Sequence, residues 1–393
     1  MIKIYEQDAY VSEFEGTVTS VNGEWISLNA TAFYPGGGGQ TNDLGKICGL
    51  DVVDVKQKDD DILHRVPGHS MNVGDTVWCS VDWNRRYDLM MGHTAEHLLF
   101  GGLKRAVPDI EIVKIFISPE SKYVVVDRDV SWDDIMKAQD FVNTAVNDNL
   151  SVMKSTMGKD DPDVDNIRAK LERIDDDLIT VVEIGDADVA ACSGLHVRDT
   201  EELVAVLVDR KVSAGKDEYA IHFRVGNNAV AMSMKLANKC LQMIETMGTK
   251  PEDAVKAAQN LKQQNNIMTG QLRYALYCMI DDMRPDTVNG VHVYSGIFRI
   301  NDKDVITEAF EWMRGKGAVS VIITEEESLS VYMSSGAKNV DCSEILKKVV
   351  TGYGGRGGGK REYAQGGVPD ISNAKYVLHD MLDLVSTALK REN

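Results

Sequence analysis

The feature that most constrains the fold is a change of hydrophobic pattern at Arg85. Before it, the sequence favours short β-strands, and Asn22-Gly23 between residues 16–21 and 24–28 is typical of a tight hairpin. After it, apolar residues recur at helical spacing to about Ala106, two residues before Pro108. This order predicts a small N-terminal β-barrel over residues 1–85, followed by a second domain that opens with a helix.

The rest of the chain mixes helices and strands, so the predicted fold class is α+β. Residues 86–225 form an α+β domain, with Ser131 as the N-cap of its second helix. Residues 226–290 form a helical connector, in which residues 249–252 resemble a capping box. Residues 291–393 alternate strands and helices as a C-terminal α/β domain, with a glycine-rich loop between its last two helices.

Composition excludes several classes of protein. The formal net charge of −18 argues against a protein that coats nucleic acid without specificity, because phosphate binding needs clustered lysine and arginine. The N-terminus lacks the features of a secretory signal, and no stretch approaches the roughly 20 apolar residues of a membrane span. The six cysteines have no paired spacing. The chain is therefore expected to be cytoplasmic, with reduced thiols and no membrane partner.

Two short motifs suggest a metal site. His93 and His97 are four residues apart, so on a helix they share one face, and Cys192 and His196 repeat that spacing. A pair of histidines at this spacing is usually fortuitous, but three nitrogens and a thiolate make the tetrahedral set that Zn²⁺ favours. Glu96 does not complete the HExxH motif of metalloproteases, because Thr94 follows the first histidine. The ligand types alone do not separate a structural site from a catalytic one.

Three motifs in order give the chain a specific resemblance. The runs TAFYPGGGGQ (31–40), DWNRRYDLMMGHTAEHLL (82–99) and CSGLHV (192–197) resemble the editing domain of alanyl-tRNA synthetase. The segment GYGGRGGGKREYAQGG (352–367) looks like the signature of the DHH-associated domain at the C-terminus of those enzymes. Since the sequence begins at the barrel, the resemblance implies a free-standing, long-form editing protein of the AlaX class. It implies Zn²⁺ as cofactor and hydrolysis of alanine tRNA mischarged with serine or glycine.

The resemblance also implies roles for residues of the barrel. Thr31 and Gln40 are expected to act on the substrate, and the backbone of Gly36, Gly37 and Gly38 is expected to approach it closely. Without the resemblance, the glycine run would be interpreted as a barrel turn. Ser193 and Leu195 depart from the glycine and threonine usual in the synthetase pattern, so Leu195 is a candidate for setting the amino-acid specificity.

The glycine-rich segment near the C-terminus is interpreted as a contact for tRNA. Its GxxxxGK outline resembles a phosphate-binding loop, but Arg361 replaces the serine or threonine that would hold magnesium. The alternative is a flexible linker. The resemblance favours binding of tRNA by four residues: Arg356, Lys360, Arg361 and Gln365.

Two other functions remain open at this stage. One is a tRNA-binding or adaptor protein that keeps the fold and the zinc but has lost catalysis, as Ser193 and Leu195 suggest. The other is a phosphodiesterase related to the DHH proteins, which the absence of a DHH triplet disfavours. The resemblance of the connector and the C-terminal domain to dimerising parts of synthetases predicts a homodimer.

Overall fold

The structure is a computed structural model that describes residues 1–162, 164, 167–168 and 178–390. The chain divides into two compact units, Met1–Gln242 and Met243–Asn393. The finer division predicted from the sequence, with boundaries at residues 85, 225 and 290, stays a prediction. In the described part of the chain, no helix has the length and the apolar composition needed to cross a membrane.

The first unit begins with a β-structure that is close to a closed barrel. Its elements are β1 (Ile2–Lys3), α1 (Ile4–Gln7), β2 (Glu13–Asn22), β3 (Trp25–Leu28), β4 (Ala30–Thr31), β5 (Gly45–Ile47), β6 (Leu50–Val52), β7 (Asp54–Lys58), β8 (Asp61–Arg65) and β9 (Thr76–Val81). Seven of these strands form one sheet in the order β6-β5-β9-β2-β3-β8-β7. The predicted hairpin is present, but Asn22 pairs with Trp25, so its turn consists of Gly23 and Glu24.

Helices and two smaller sheets complete the first unit. They are α2 (Trp83–Ala106), β10 (Ile112–Ile117), β11 (Lys122–Val126), α3 (Trp132–Asn147), β12 (Val152–Gly158), β13 (Leu178–Ile184), β14 (Asp188–Ala191), a 3-10 turn (Thr200–Leu203), β15 (Val206–Gly215), β16 (Glu218–Val225) and α4 (Asn227–Met247), whose end lies in the second unit. The sheet orders are β10-β11-β16-β15 and β12-β13-β14. Ser131 caps α3 as predicted, since its side chain accepts a hydrogen bond from the Asp134 N–H.

Helix α2 is the central element of this unit. Asp82 caps its N-terminus by accepting a hydrogen bond from the Arg85 N–H. Leu98, Leu99 and Leu103 are completely buried in one core that also contains Val124 of β11 and Ile26 of the barrel. The helix is therefore held against barrel and sheet by apolar burial, at about 25 cal/mol per Å² of apolar surface.

The second unit combines one mixed sheet with helices. Its elements are a 3-10 turn (Pro251–Asp253), α5 (Ala254–Asp281), β17 (Asp286–Val288), β18 (Val291–Phe298), α6 (Lys303–Gly315), β19 (Val319–Glu325), β20 (Leu329–Ser335), α7 (Cys342–Gly352), β21 (Arg356–Gly359), β22 (Tyr363–Val368), a 3-10 turn (Ile371–Asn373) and α8 (Ala374–Lys390). The strand order is β17-β18-β19-β20-β22-β21, with β18 and β19 parallel. The mixed α+β class is thus confirmed.

The glycine-rich segment is a β-hairpin, so the predicted loop is wrong in this respect. Strands β21 and β22 pair antiparallel, from Arg356 opposite Gly367 to Gly359 opposite Ala364. The glycines allow close packing: a Cβ on Gly357 would lie 2.5 Å from Leu346 Cδ2 of α7. Close approach of backbone and helix, and not flexibility, therefore explains the glycines here.

Candidate metal centre

Two distant segments bring four metal-ligating side chains together in the first unit. His93 and His97 project from α2 and are 1% and 3% exposed, while Cys192 and His196 lie just after β14. One donor atom from each of the four lies within 4.8 Å of all the others. Cys192 Sγ is 3.4 Å from both His93 Nε2 and His196 Nε2. The paired spacings in the sequence therefore converge on one cluster that could hold a metal ion.

Each histidine ring of the cluster is oriented by a second hydrogen bond. His93 Nδ1 lies 2.9 Å from Gln40 Oε1, and His97 Nδ1 lies 2.9 Å from Asp188 Oδ2. His196 Nδ1 lies 3.1 Å from the Thr94 hydroxyl. Because the oxygens of Gln40 and Asp188 accept, the Nδ1 atoms of His93 and His97 carry the hydrogens, and the Nε2 lone pairs remain available to a metal.

The electrostatics of the cluster favour the thiolate form of Cys192 and the neutral form of His196. Burial alone would raise the pKa of the Cys192 thiol, but the His93 and His97 imidazoles outweigh it and hold that pKa well below its ordinary value. Burial and the neighbouring His93 lower the pKa of His196 to about 3. Burial acts to lower the pKa of His97, but the Cys192 thiolate and the hydrogen bond to Asp188 raise it to about 10. These side chains bind metals as a thiolate and neutral imidazoles, so a metal ion that enters the cluster displaces the proton of His97, and the residues present fit a metal ion.

The glycine run of the barrel lies against this cluster. Gly36, Gly37, Gly38 and Gly39 all have positive φ angles, of 88°, 149°, 59° and 88°. A Cβ on Gly38 would lie 3.7 Å from His93 Cε1, so this backbone approaches the ligand ring closely. Glycine adopts these positive φ angles without steric strain, so the run can bring its backbone close to the cluster.

The side-chain amide of Gln40 has a hydrogen-bonded oxygen and, among the described residues, an unpaired nitrogen. Its Oε1 is bonded to His93 Nδ1 and accepts a second hydrogen bond from the Leu195 N–H at 3.3 Å. Its Nε2 is buried and has no hydrogen-bond partner among the described residues. These contacts fix the orientation of the amide, so two N–H donors of Gln40 are left unpaired next to the cluster.

The Thr31 hydroxyl and the Leu195 side chain both point into buried parts of the first unit, which the sequence did not predict. The Thr31 hydroxyl is completely buried, 2.9 Å from His64 Nε2, and accepts a hydrogen bond from the Phe33 N–H at 3.1 Å. The hydrogen bonds found for it therefore lead into the barrel and not to the four ligands. The Leu195 side chain is 2% exposed and belongs to the main core, while its backbone meets Gln40.

Two cavities lie near the cluster in the first unit, and the first of them reaches the ligand His196. One, of about 520 Å³, is lined by His196, Gly194 and Tyr10 among others. The other, of about 810 Å³, is lined by Gly38, Asp188 and Arg168 among others. Cys192 and His196 are partly exposed, whereas His93 and His97 are buried, so access to the cluster is from the side of the 192–196 segment.

Several residues of the centre were missed by reasoning from sequence. Arg168 donates to Asp188 Oδ2 at 2.7 Å and so supports the carboxylate that orients His97. Glu96 is completely buried, and neither carboxylate oxygen has a hydrogen-bond partner among the described residues. No spacing in the sequence connects Asp188 or Arg168 with His97. Thr94 and Glu96 lie next to His93 and His97 in the sequence, but the sequence suggests Glu96 only as the general base of a protease motif, which it does not complete.

A buried ion pair fixes α2 to the barrel. The Arg86 guanidinium, two turns before His93, donates to the Asp43 carboxylate and to the backbone oxygens of Ala9 and Ala32. Both side chains of the pair are 0% exposed. Asp43 also accepts a hydrogen bond from the Tyr34 N–H, just before the glycine run. The pair therefore ties the helix of His93 and His97 to the segment that presents Gln40.

In the second unit, the four residues expected to contact tRNA lie on the glycine-rich hairpin. Arg356, Lys360, Arg361 and Gln365 are all exposed. Arg361 donates to the Lys338 backbone oxygen, and Gln365 Oε1 accepts from the Tyr363 hydroxyl at 3.3 Å. The hairpin therefore gathers three cations in one place on a protein whose net charge is −18.

The chain is similar in sequence to alanyl-tRNA editing proteins and alanine–tRNA ligases. A family model described as tRNA synthetases class II (A) matches residues 3–85, and the DHHA1 domain matches residues 294–390. The alanyl-tRNA editing protein AlaX-L of Pyrococcus horikoshii is 27% identical over 93% of this chain and 94% of its own length. An alanine–tRNA ligase of Methanoregula boonei is 25% identical over 99% of this chain.

The chain spans only 44% of the length of that ligase. The solved structure of the C-Ala domain of alanyl-tRNA synthetase from Aquifex aeolicus matches 28% of this chain at 20% identity, with a TM-score of 0.24. The sequence matches extend over both units. They confirm that the chain resembles, along nearly its whole length, the long-form AlaX editing proteins and the corresponding parts of alanyl-tRNA synthetases.

Proposed function

We propose that this chain is an aminoacyl-tRNA deacylase, which hydrolyses the ester of alanine tRNA mischarged with serine and, more slowly, with glycine. The observation that carries the proposal is the four-ligand cluster, with three rings held by outer hydrogen bonds and a free amide of Gln40 beside it. The similarity to AlaX-L over 93% of the chain supports the class of substrate. Correction of errors in translation is the role that follows from this activity.

The ligand set favours zinc as the cofactor. Three imidazole nitrogens and one thiolate match the soft-to-borderline, four-coordinate preference of Zn²⁺ better than that of Mg²⁺ or Ca²⁺, which bind oxygen. When bound, the ion supplies positive charge that can polarise an ester carbonyl, acidify a water molecule or hold a substrate amino group or hydroxyl. The histidine rings are pre-oriented for it by Gln40, Asp188 and Thr94.

Gln40 is the catalytic residue that we assign on the protein side. Its unpaired Nε2 donors lie in a buried place, where a hydrogen bond to a developing negative oxygen is strong. The amide does not need to rotate during the reaction, because His93 and Leu195 hold its Oε1. Gln40 therefore acts as a fixed donor to the ester carbonyl oxygen while the backbone of Gly36, Gly37 and Gly38 leaves room for the substrate.

Amino-acid specificity is assigned to the barrel side of the site. Thr31 recognises the serine hydroxyl, and a site built around that contact leaves a buried polar group unpaired when alanine enters. Leu195 contributes by holding the 192–196 segment in the core, which positions its backbone against Gln40. Correctly charged alanine tRNA is therefore spared.

Binding of the tRNA is assigned in part to the hairpin of the second unit. Arg356, Lys360 and Arg361 supply positive charge for phosphates, and Gln365 supplies an amide. Antiparallel pairing of β21 with β22 holds these side chains on a rigid element. Neutralising one of the cations should weaken binding of every charged alanine tRNA by a similar factor.

The test is release of the amino acid from alanine tRNA charged with serine, glycine or alanine, by the full chain with Zn²⁺. We expect serine to be released fastest, because of the three amino acids only serine brings a hydroxyl to Thr31, and alanine to be released slowest. Gln40→Glu keeps an oxygen for His93 and Leu195 but removes the donor, so it should lower kcat by about 10²- to 10³-fold while zinc stays bound.

Histidine variants provide the matched comparison. His97→Ala should abolish both zinc binding and turnover, whereas His379→Ala, at an exposed position of the second unit, should change neither. If no charged tRNA is deacylated by zinc-loaded protein, the chain is an adaptor or tRNA-binding protein and the hydrolase proposal is wrong. Equal binding of charged and uncharged tRNA would then be expected.

We also propose that the protein is a homodimer. The long helix α5 exposes an apolar face that includes Leu261, Met268 and Leu272, which are 52%, 56% and 53% exposed. Exposed apolar residues that share one face of a helix are typical of an association site. Light scattering should give twice the 43.4 kDa of one chain, and Met268→Glu should give the single mass. A wild-type protein that is monomeric at micromolar concentration contradicts the proposal.

A further inference from the structure

A buried histidine that has no place in the metal centre lies inside the barrel. His64 belongs to β8 and is 0% exposed. Its Nε2 is 2.9 Å from the Thr31 hydroxyl, and its Nδ1 is 3.3 Å from the Ile26 backbone oxygen. Its ring packs edge to face on Phe33, at 5.3 Å between centroids. The ring is thus held by neighbours on three sides.

The position of the single proton on this ring follows from its partners. Burial lowers the pKa of His64 to about 4, although the bond to the Ile26 oxygen acts in the opposite direction, so the ring is neutral near pH 7. A backbone oxygen can only accept, which places the ring hydrogen on Nδ1. Nε2 of His64 is therefore an acceptor, and Thr31 must donate its hydroxyl hydrogen to it.

These bonds determine which further hydrogen bonds the Thr31 hydroxyl can form. A hydroxyl has one hydrogen and two lone pairs. The hydrogen is bonded to His64, and one lone pair accepts the Phe33 N–H at 3.1 Å. One lone pair remains. Toward any further group, the Thr31 oxygen can accept a hydrogen bond but cannot donate one.

We propose that His64 is a specificity-determining positioning residue, which holds Thr31 as a pure acceptor. This inference rests on the proposed function, in which Thr31 meets the side chain of the misattached amino acid. An acceptor recognises a side chain that brings its own donor, as the serine hydroxyl does. Glycine and alanine bring none, so they leave the buried lone pair of Thr31 without a partner.

Removal of His64 should relax this discrimination. In His64→Phe the aromatic volume beside Phe33 is kept, but the Thr31 hydrogen loses its acceptor and the hydroxyl becomes free to turn. We expect the ratio of kcat/KM for serine over glycine to fall on the order of tenfold. His64→Gln offers an oxygen to Thr31 and an N–H to Ile26, so it should restore most of the ratio.

A double-variant comparison separates positioning from a merely structural role. In a Thr31→Val background, His64→Phe should leave the serine-to-glycine ratio unchanged, because the hydroxyl through which His64 acts is gone. His69→Gln, at a barrel histidine that bonds the Gly23 backbone oxygen, is the matched control and should leave the ratio unchanged. An equal loss in both backgrounds, or no loss in either, overturns the inference.

A measurement that needs no catalysis keeps the inference testable on its own. ¹⁵N NMR of histidine side chains in the full chain should show, for the resonance lost in His64→Gln, a neutral ring with its hydrogen on Nδ1. A hydrogen on Nε2 would overturn the assignment. If wild-type protein deacylates nothing, the proposed function fails, while the NMR result still decides how His64 and Thr31 are bonded.

Discussion

Replacing Arg86 by methionine tests how strongly the metal-bearing helix depends on its anchor. Methionine keeps much of the buried length but removes every donor of the guanidinium. The Asp43 carboxylate then stays at 0% exposure, with the Tyr34 N–H as a remaining donor, and the Ala9 and Ala32 oxygens lose their partner. The structure offers no nearby replacement cation among the described contacts of Asp43.

The expected cost follows from the burial of the pair. Removing one partner of a buried ion pair costs about 3 to 5 kcal/mol, because the other charge is left uncompensated. A large part of a typical free energy of unfolding, about 5 to 15 kcal/mol, would therefore be lost. Arg198→Met removes an exposed pair with Asp8, whose side chains are 61% and 46% exposed, and should cost less than about 1 kcal/mol.

Urea unfolding of the full chain, followed by tryptophan fluorescence, measures both effects. Four of the five tryptophans, Trp25, Trp78, Trp83 and Trp132, lie in the first unit, so the signal mainly reports that unit. Arg86→Met combined with Asp43→Asn should be more stable than Arg86→Met alone, since the buried charge is gone. A loss in Arg86→Met no larger than in Arg198→Met would refute the reasoning.

Three further predictions concern the metal centre and the hairpin. Asp188→Asn should lower zinc affinity about 10- to 100-fold, measured by competition with a chromogenic chelator, because His97 loses the carboxylate that orients it; unchanged affinity would contradict this. Gly194→Ala should abolish zinc binding with an unchanged circular dichroism spectrum, because a Cβ there would overlap the His93 ring. Gly357→Ala should weaken tRNA binding in a filter assay, since its Cβ would lie 2.5 Å from Leu346 Cδ2 and displace the hairpin.

Features that depend on local chemistry could be predicted from the sequence. The i,i+4 spacing of His93 and His97 and the cap at Ser131 depend on one helix each, and the structure places them as expected. The hairpin around Gly23 was correct to within one residue for the same reason. The metal cluster itself needed the additional resemblance, because nothing local links residue 97 to residue 192.

The parts that could not be predicted depend on contacts between distant segments. Asp188 meets His97 across 91 positions and Gln40 meets His93 across 53, and neither distance leaves a periodic signal. The loop predicted near residue 357 is a hairpin because glycine also serves close backbone packing, which a sequence alone does not distinguish from flexibility. The contact of Thr31 with His64 likewise depends on the closure of the barrel.

The two halves of the ligand set have a consequence for biosynthesis of the protein. His93 and Cys192 meet although 99 positions separate them, so the set of four ligands is complete only when the strands between them have assembled. An ion that binds only the assembled form stabilises it by about 2.7 kcal/mol when free metal exceeds Kd a hundredfold. If the cluster binds Zn²⁺ as proposed, retention of the ion distinguishes a fully assembled first unit from a nascent or misassembled one, because only the assembled form presents all four ligands.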